Sequence, residues 1–255
     1  MREKSLVKEG SYTNFLYHPY WEMLCIPPLI LTHRMCYNFT GELLARQETD
    51  YYNILISNWD LTLPYIPFFI LPYLFAWIYA LFILAYTFFT GTYNNIIFRY
   101  FYFSFFILTG LESLIWYFFP ASITIRVTPD ILANSGWLGS LTTYVYERAT
   151  VWNVFPSAHI SSAYIIMLFS KHFAPPKQRW LFVVLFLLIT LSAVFIKNHY
   201  LIDLAGGVMI GHFVYHFIFL LAYKRDLLGK ISTRTVLGIN YLIFAVTAVL
   251  YLQLT

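Results

Sequence analysis

Long apolar runs are the feature that most limits how this chain can fold. A bilayer core about 30 Å thick needs roughly 20 mostly apolar residues per helix. Six stretches meet this need, and they lie at residues 63–89, 96–118, 156–170, 180–196, 201–222 and 236–253. A seventh, residues 20–39, is interrupted by two prolines and contains His33 and Arg34. Counting it as a span, we predict an all-α polytopic membrane protein.

The composition agrees with a membrane protein. Hydrophobic residues make up 60% of the 255 residues and charged residues only 11%, whereas soluble domains carry about 25% charged residues. We therefore predict one integral membrane domain over residues 1–255, with no second soluble domain. The net charge of +4 predicts no nucleic-acid partner. The sequence leaves the oligomeric state open.

Lysine and arginine are unevenly divided between the two ends of the predicted spans. With a cytoplasmic N-terminus, eleven of them lie on the cytoplasmic side and four on the other, the usual bias. The four are Arg46, Arg126, Arg148 and Lys197. The long loop at about residues 120–155 therefore faces outward. We predict a multi-pass protein of the cell membrane with its active site on the extracytoplasmic side.

Two outward-facing junctions carry polar groups that an apolar helix does not need. The stretch "FPSAH" places Ser157 and His159 at the start of one span. The stretch "NHYLIDLAGG" places His199 and Asp203 four residues apart, on one face of the next outward-starting helix. Ionisable groups at this depth are costly and by default indicate function. We therefore expect the two junctions to lie close together.

These residue types suit phosphoryl transfer. Asp203 can accept the Nδ1–H of His199 and so leave Nε2 free as a nucleophile. A second histidine, His159, can protonate a leaving oxygen. Ser157 and the backbone amides that begin its helix suit an anion such as phosphate, and Lys197 adds positive charge. The pattern predicts a phosphohistidine route that requires neither a metal nor another cofactor.

The same residues resemble a known family. The motifs at residues 155–159 and 197–203 are similar to the Pro-Ser-x-His and His-x-x-x-Asp signatures of the type 2 phosphatidate phosphatase superfamily. The resemblance covers roughly residues 110–222. It implies His199 as nucleophile, Asp203 as its orienting partner, His159 as general acid and Ser157 as part of the phosphate pocket. It also implies a six-helix core, to which the last span here is an addition.

The chain departs from the family's pattern at its cationic positions. The usual third signature has an arginine where this chain has Ala193, and the usual first signature, Lys-x6-Arg-Pro, is absent from the long loop. Arg126, Arg148 and Lys197 are the candidate substitutes for binding phosphate. The phrase "HYLID" and the missing arginine resemble the inositol phosphorylceramide synthase and sphingomyelin synthase branch more closely than the simple phosphatases.

Three functions remain open from the sequence. The first is a phosphatase that hydrolyses the phosphoester or pyrophosphate of a phospholipid-type or polyprenyl-type substrate at the outer leaflet. The second is a phosphotransferase that moves a phosphoryl-bearing headgroup to another lipid. The third is a carrier that binds a lipid phosphate without cleaving it.

Two further patterns receive structural interpretations. His212 and His216 lie four residues apart on a helix, but a metal site needs more ligands than two, so we expect no metal there. The small-residue run of Gly206, Gly207 and Gly211 predicts a close contact between helices. The 25 phenylalanines and 22 tyrosines are expected mostly on the lipid-facing and interfacial surface.

Overall fold

The computed structural model describes residues 19–46 and 57–254. Within these ranges the chain is all-α and contains no strand, as the apolar runs predict. The α-helices are α1 (Ile26–Arg46), α2 (Asn58–Thr62), α3 (Ile70–Phe89), α4 (Asn95–Phe118), α5 (Pro129–Asn134), α6 (Gly136–Arg148), α7 (Ala158–Phe169), α8 (Arg179–Phe195), α9 (Leu201–Phe213), α10 (Leu220–Lys224) and α11 (Thr233–Leu254). A π-helical stretch, Val214–Phe219, joins α9 to α10.

Five helical segments are long and apolar enough to cross a membrane, which confirms an all-α polytopic membrane protein. They are Pro67–Phe89, Asn95–Phe118, Pro176–Phe195, Leu201–Lys224 and Thr233–Gln253. The predicted span at residues 20–39 is instead a 3₁₀ turn followed by α1. Because α1 carries polar residues, including His33 and Arg34, along its length, it is not one of the five. It packs mainly against α4 and α11.

The helix α7 is shorter than the apolar run that predicted it. Its 12 residues extend about 18 Å, less than the thickness of a bilayer core. It packs against α3, α4, α8 and α9, and most of its side chains are buried. Its apolar side chains are therefore buried mostly by other helices of the bundle. The beginning of α7, which carries Ser157 and His159, lies inside the bundle.

Glycines on α9 bring this helix close to α7, as the small-residue run predicts. A Cβ added to Gly207 would lie 2.8 Å from the Ser157 carbonyl oxygen and 2.8 Å from the Ile160 Cβ. At Gly211 it would lie 2.9 Å from the Ser161 carbonyl oxygen. All three distances are too short for a real side chain. The two helices can therefore approach at the end where Ser157 and Asp203 lie.

The segment between α4 and α7 folds back on itself at the same end of the bundle. It contains α5 and α6, and its two ends meet where the Ile123 amide donates to the Val151 carbonyl at 3.0 Å. Before α3, the short helix α2 begins with a capping box formed by Ser57 and Asp60. Both segments contact the loop between α8 and α9.

Aromatic side chains also form much of the interior, which corrects the expectation that they mostly face lipid. The rings of Phe101 and Phe169 stack with centroids 4.5 Å apart, and Phe98 packs edge-on to Phe169 at 5.5 Å. All three are almost completely buried. Offset and edge-on ring contacts fill the space between α4 and α7. Composition alone could not separate these rings from those at the surface.

Candidate active site

His199 lies in the loop between α8 and α9, and both of its ring nitrogens have partners. Its Nδ1 is 3.3 Å from Asp203 Oδ2, and its Nε2 is 3.2 Å from Ser157 Oγ. Because an ionised carboxylate only accepts hydrogen bonds, the proton belongs on Nδ1. The Nε2 lone pair is then available and accepts a bond from the Ser157 hydroxyl. The imidazole is held in one tautomer and one orientation.

Asp203 belongs to the first turn of α9 and is fully buried. Its Oδ2 accepts a hydrogen bond from the Tyr200 amide at 2.8 Å in addition to its contact with His199. A carboxylate in the first turn also suits the positive end of the helix dipole. The same residue therefore stabilises the start of α9 and orients the imidazole.

Ser157 connects the two junctions that the sequence places apart. It is the N-cap residue of α7, and its amide donates to the Asp203 carbonyl at 3.3 Å. The expected proximity of the junctions is confirmed. Its hydroxyl is directed to His199 and does not cap α7. The first amides of α7, from Ala158 to Ile160, have no partner within their own helix, which is the arrangement that binds anions.

His159 lies across from His199, with ring centroids 5.9 Å apart. The indole Nε1 of Trp77 donates to His159 Nε2 at 3.0 Å. Its Nδ1 is 3.5 Å from the Tyr73 hydroxyl, and the Tyr73 ring lies against the imidazole with centroids 4.4 Å apart. Because Trp77 can only donate, this arrangement holds a neutral His159 with its proton on Nδ1.

Arg126 holds the residue next to His199. Its Nε and Nη2 donate to Asn198 Oδ1 at 3.1 and 2.9 Å. The remaining bonds of the guanidinium go to the carbonyls of Tyr146 and Ala149, at 3.0 and 3.3 Å. These four bonds leave one of its five N–H groups. Burial lowers the pKa of Arg126.

Lys197 is buried and occupies the left-handed region with φ of 56°. Its Nζ donates to the Asp60 backbone carbonyl at 2.6 Å. The carboxylate of Asp60 accepts a bond from the Leu201 amide at 2.8 Å. Burial lowers the pKa of Lys197, and the charge of Asp60 opposes that shift. The short helix α2 thus contacts the chain on both sides of His199.

Arg148 lies at the end of α6 and lines a cavity of about 420 Å³, which His199 does not line. His159 also lines this cavity, together with Arg34 of α1. The Arg34 Nη2 donates to the Arg148 carbonyl at 3.0 Å. The structure therefore brings Arg148 near His159, and brings Arg126 and Lys197 to the loop that carries His199.

Sequence reasoning missed several residues that the structure places in this site. Arg34 was visible as a charge inside a predicted span, which is itself a signal of function. Trp77 and Tyr73 lie in an apolar run where nothing distinguishes them from lipid-facing rings. Asn198 directly precedes His199, but nothing in the sequence marks it as the residue that Arg126 holds. Asp60 contacts the His199 loop from a distant part of the chain, and no spacing in the sequence links the two.

The rings of His212 and His216 lie 4.2 Å apart. No third histidine, cysteine, aspartate or glutamate completes a metal-binding group with them in residues 19–46 and 57–254. The Tyr164 hydroxyl lies 3.4 Å from His212 Nδ1.

Comparison with known proteins agrees with the motifs. A family model described as the PAP2 superfamily matches residues 67–217, which are 151 of the 255 residues. The matched range includes His159, His199 and Asp203, and it excludes Arg34 and Asp60. No curated protein matches this chain. No solved structure matches it either.

Proposed function

Because the chain belongs to the PAP2 superfamily, we propose that it is a membrane-embedded phosphatase that removes a phosphoryl group from a lipid through a phosphohistidine on His199. Membership of this superfamily, the type 2 phosphatidate phosphatases, supports a phosphatase-type activity in general. The proposal adds a lipid as the substrate, His199 as the residue that carries the phosphoryl group, and the outer leaflet as the place of reaction.

One observation carries the proposal: His199 lies between Asp203 on Nδ1 and Ser157 on Nε2. Asp203 fixes the tautomer and stabilises the positive charge that develops when Nε2 attacks phosphorus. Substrate phosphate would take the place beside Nε2, where the Ser157 hydroxyl and the first amides of α7 can bind its oxygens. This supports a nucleophilic role for His199 more directly than a purely structural one.

In the first step, His199 Nε2 forms a bond to phosphorus while the bond from phosphorus to the lipid oxygen breaks. An anionic phosphate next to His159 favours its imidazolium form, and Trp77 can then no longer donate to Nε2. The protonated Nε2 of His159 is then free to donate to the leaving oxygen, which takes the proton. His159 is the general acid of this step.

In the second step, water attacks the phosphohistidine. His159, now neutral, accepts the water proton, the bond from phosphorus to Nε2 breaks, and inorganic phosphate leaves. The chain's own residues supply the nucleophile, the acid and the charge stabilisation. Arg126 acts in this scheme by holding Asn198, and Lys197 by its bond to Asp60. Arg148 lines the same cavity as His159 and takes no part in these two steps.

Two features support a lipid as substrate. The cavity beside His159 is lined by apolar residues such as Leu29, Ala80 and Ile166 and also by charged residues, Arg34 and Arg148. An amphiphile likewise combines an apolar chain with a charged headgroup. The five membrane-spanning helices place the protein in a bilayer. The excess of lysine and arginine on the opposite side supports an outward-facing site.

A panel of lipid phosphates and diphosphates, presented to the purified chain in mixed micelles, tests this function. We expect release of inorganic phosphate from at least one member and loss of that release in His199→Ala. A carrier would bind the same lipids without releasing phosphate, and that result would contradict the proposal.

Ala193 gives a specific reason to test a transferase as well. It is fully buried behind the His199 loop, at the position where the phosphatase signature has an arginine. Its carbonyl accepts the amides of Asn198 and His199, each at 3.1 Å. In the transferase, the hydroxyl of a second lipid replaces water in the second step. Headgroup transfer to a labelled acceptor lipid, exceeding phosphate release, would favour this alternative.

A further inference from the structure

The cavity beside His159 is lined by two arginines, Arg34 and Arg148, that have no part in the two steps above. It lies between α1, α3, α4, α6 and α7 and has a volume of about 420 Å³. Arg34 enters it from α1 and Arg148 from the end of α6. Arg34 lies outside the residues that match the superfamily, so family motifs give it no role.

The two arginines bring positive charge without a counter-ion. In the described parts of the chain, no carboxylate lies within 4.0 Å of either guanidinium. The nearby Glu112 is buried and bonded to the Ser161 hydroxyl, and it does not line the cavity. Arg34 rests on the ring of Trp77 at 5.8 Å and Arg148 on the ring of Tyr144 at 3.8 Å. These contacts orient the guanidinium groups and leave the positive charge for an anion.

Trp77 contacts both Arg34 and His159. One face of its ring lies below the Arg34 guanidinium, and its Nε1 donates to His159 Nε2. In the mechanism proposed above, His159 gives its proton to the leaving oxygen. The leaving group therefore departs on the His159 side, into the cavity that Arg34 and Arg148 line.

We propose that Arg34 and Arg148 bind a negative charge on the leaving group, and that the enzyme therefore prefers a lipid diphosphate to a lipid monophosphate. This proposal rests on the proposed function. A monophosphate ester leaves as a neutral alcohol, which gains nothing from the arginines. A diphosphate leaves as a lipid monophosphate, which still carries the negative charge of its own phosphate after His159 protonates the bridging oxygen. The arginines can therefore bind this charge in the substrate complex and in the transition state, and either effect raises kcat/KM.

Hydrolysis of the diphosphate proceeds in two steps. His199 Nε2 bonds to the terminal phosphorus, and the bond from that phosphorus to the bridging oxygen breaks. His159 gives its proton to that oxygen, which leaves on the lipid monophosphate held by Arg34 and Arg148. Water then attacks the phosphohistidine, His159 takes the water proton, and inorganic phosphate is released.

Turnover of two matched substrates tests the preference. Purified full-length protein is given farnesyl diphosphate or farnesyl monophosphate, and kcat/KM is measured for each. We expect a wild-type preference for the diphosphate of about 10- to 100-fold, the worth of one charge-assisted hydrogen bond. Arg34→Gln should remove most of that preference and Arg34→Lys should retain it. Arg46→Gln is the control, because Arg46 is exposed at the end of the same helix and does not line the cavity.

Binding of inert analogues separates this proposal from the proposed function. Wild type should bind a methylene-bridged farnesyl bisphosphonate at least about 10-fold more tightly than farnesyl phosphonate, a difference that Arg34→Gln removes. Selective binding without turnover of either substrate would overturn the phosphatase function and leave the anion site supported. Turnover and binding without selectivity, or an equal loss for both ligands in Arg34→Gln, would overturn the anion site alone.

Discussion

Ser157 Oγ and Asp203 Oδ2 contact opposite nitrogens of the same imidazole, at 3.2 Å from Nε2 and 3.3 Å from Nδ1 of His199. The two residues belong to the first turns of different helices. Their joint contact exists only because α7 and α9 begin at the same depth and pack closely. The packing of α7 against α9 therefore also sets the position of the His199 imidazole, the proposed nucleophile.

Replacing Gly207 by alanine should separate these helices. The new Cβ would lie 2.8 Å from the Ser157 carbonyl oxygen, which belongs to the backbone and cannot rotate away. Overpacking of this kind costs about 1–3 kcal/mol. We expect a lower unfolding temperature in detergent and a fall in kcat, because Ser157 moves away from His199.

Gly238→Ala is the matched control. Gly238 lies in α11, and an added Cβ there would meet no atom within 4 Å. This variant should keep wild-type activity and an equal or higher unfolding temperature, since alanine favours a helix. Wild-type turnover in Gly207→Ala would show that the close contact is not needed for the site.

Asp60 should act as a positioning residue for the His199 loop. Its carboxylate accepts from the Leu201 amide at 2.8 Å, and its carbonyl accepts from Lys197 Nζ at 2.6 Å. In Asp60→Ala the carboxylate contact is lost, and a displacement of about 1 Å at a reacting group can reduce the rate about 100-fold. We expect kcat to fall with little change in KM, because the substrate contacts remain.

Two comparison variants make the Asp60 result specific. Asp60→Asn keeps an oxygen for the Leu201 amide and should recover most of the lost kcat. Asp130→Ala removes an exposed acid in the first turn of α5 and should leave kcat unchanged. A fall in KM and kcat together, or full activity in Asp60→Ala, would contradict a positioning role.

The apolar runs predicted most of the fold, and the motif spacing predicted which polar residues meet. Asp203 follows His199 by four residues, and the two lie close together. They do not share a helix face as the sequence predicted, because α9 begins only at Leu201 and His199 lies in the loop before it. The meeting of Ser157 with His199 required a correct count of the intervening helices. The length of α7 could not be predicted, because apolar residues buried by neighbouring helices resemble those buried by lipid.

The surroundings of the site were less predictable. Arg34 was present as a cation within a predicted span, but its neighbours Trp77 and Arg148 come from distant segments. Asp60 lies in a short helix that hydropathy does not detect. Contacts of this kind depend on how helices are arranged around one another, and a single sequence contains no direct record of that arrangement.

The orientation in the membrane can be measured with single cysteines. In a background without Cys25 and Cys36, cysteine is introduced at Ser140 of α6 or at Lys177 between α7 and α8; both positions are exposed. An impermeant thiol reagent added to intact cells should label position 140 and spare position 177. Labelling of position 177 alone would reverse the orientation and place the substrate in the inner leaflet.

Metal independence is a separate prediction of the histidine mechanism. The nucleophile, the acid and the cationic groups are side chains of this chain, so a divalent ion has no step to perform. Phosphate release should remain within a few-fold of its starting rate after treatment with a chelator. Loss of activity that returns on addition of a divalent ion would contradict the mechanism. It would make His212 and His216 candidate metal ligands.

Trapping the covalent intermediate tests the central claim most directly. The purified enzyme is mixed with a substrate from the lipid panel labelled in the transferred phosphoryl group, and is quenched in alkali, where phosphohistidine survives. We predict label on His199, identified by mass spectrometry of the digested chain, with no label and at least a 100-fold loss of turnover in His199→Ala, within the range for losing a catalytic group. Label on another residue, or turnover by His199→Ala near the wild-type rate, would contradict the account.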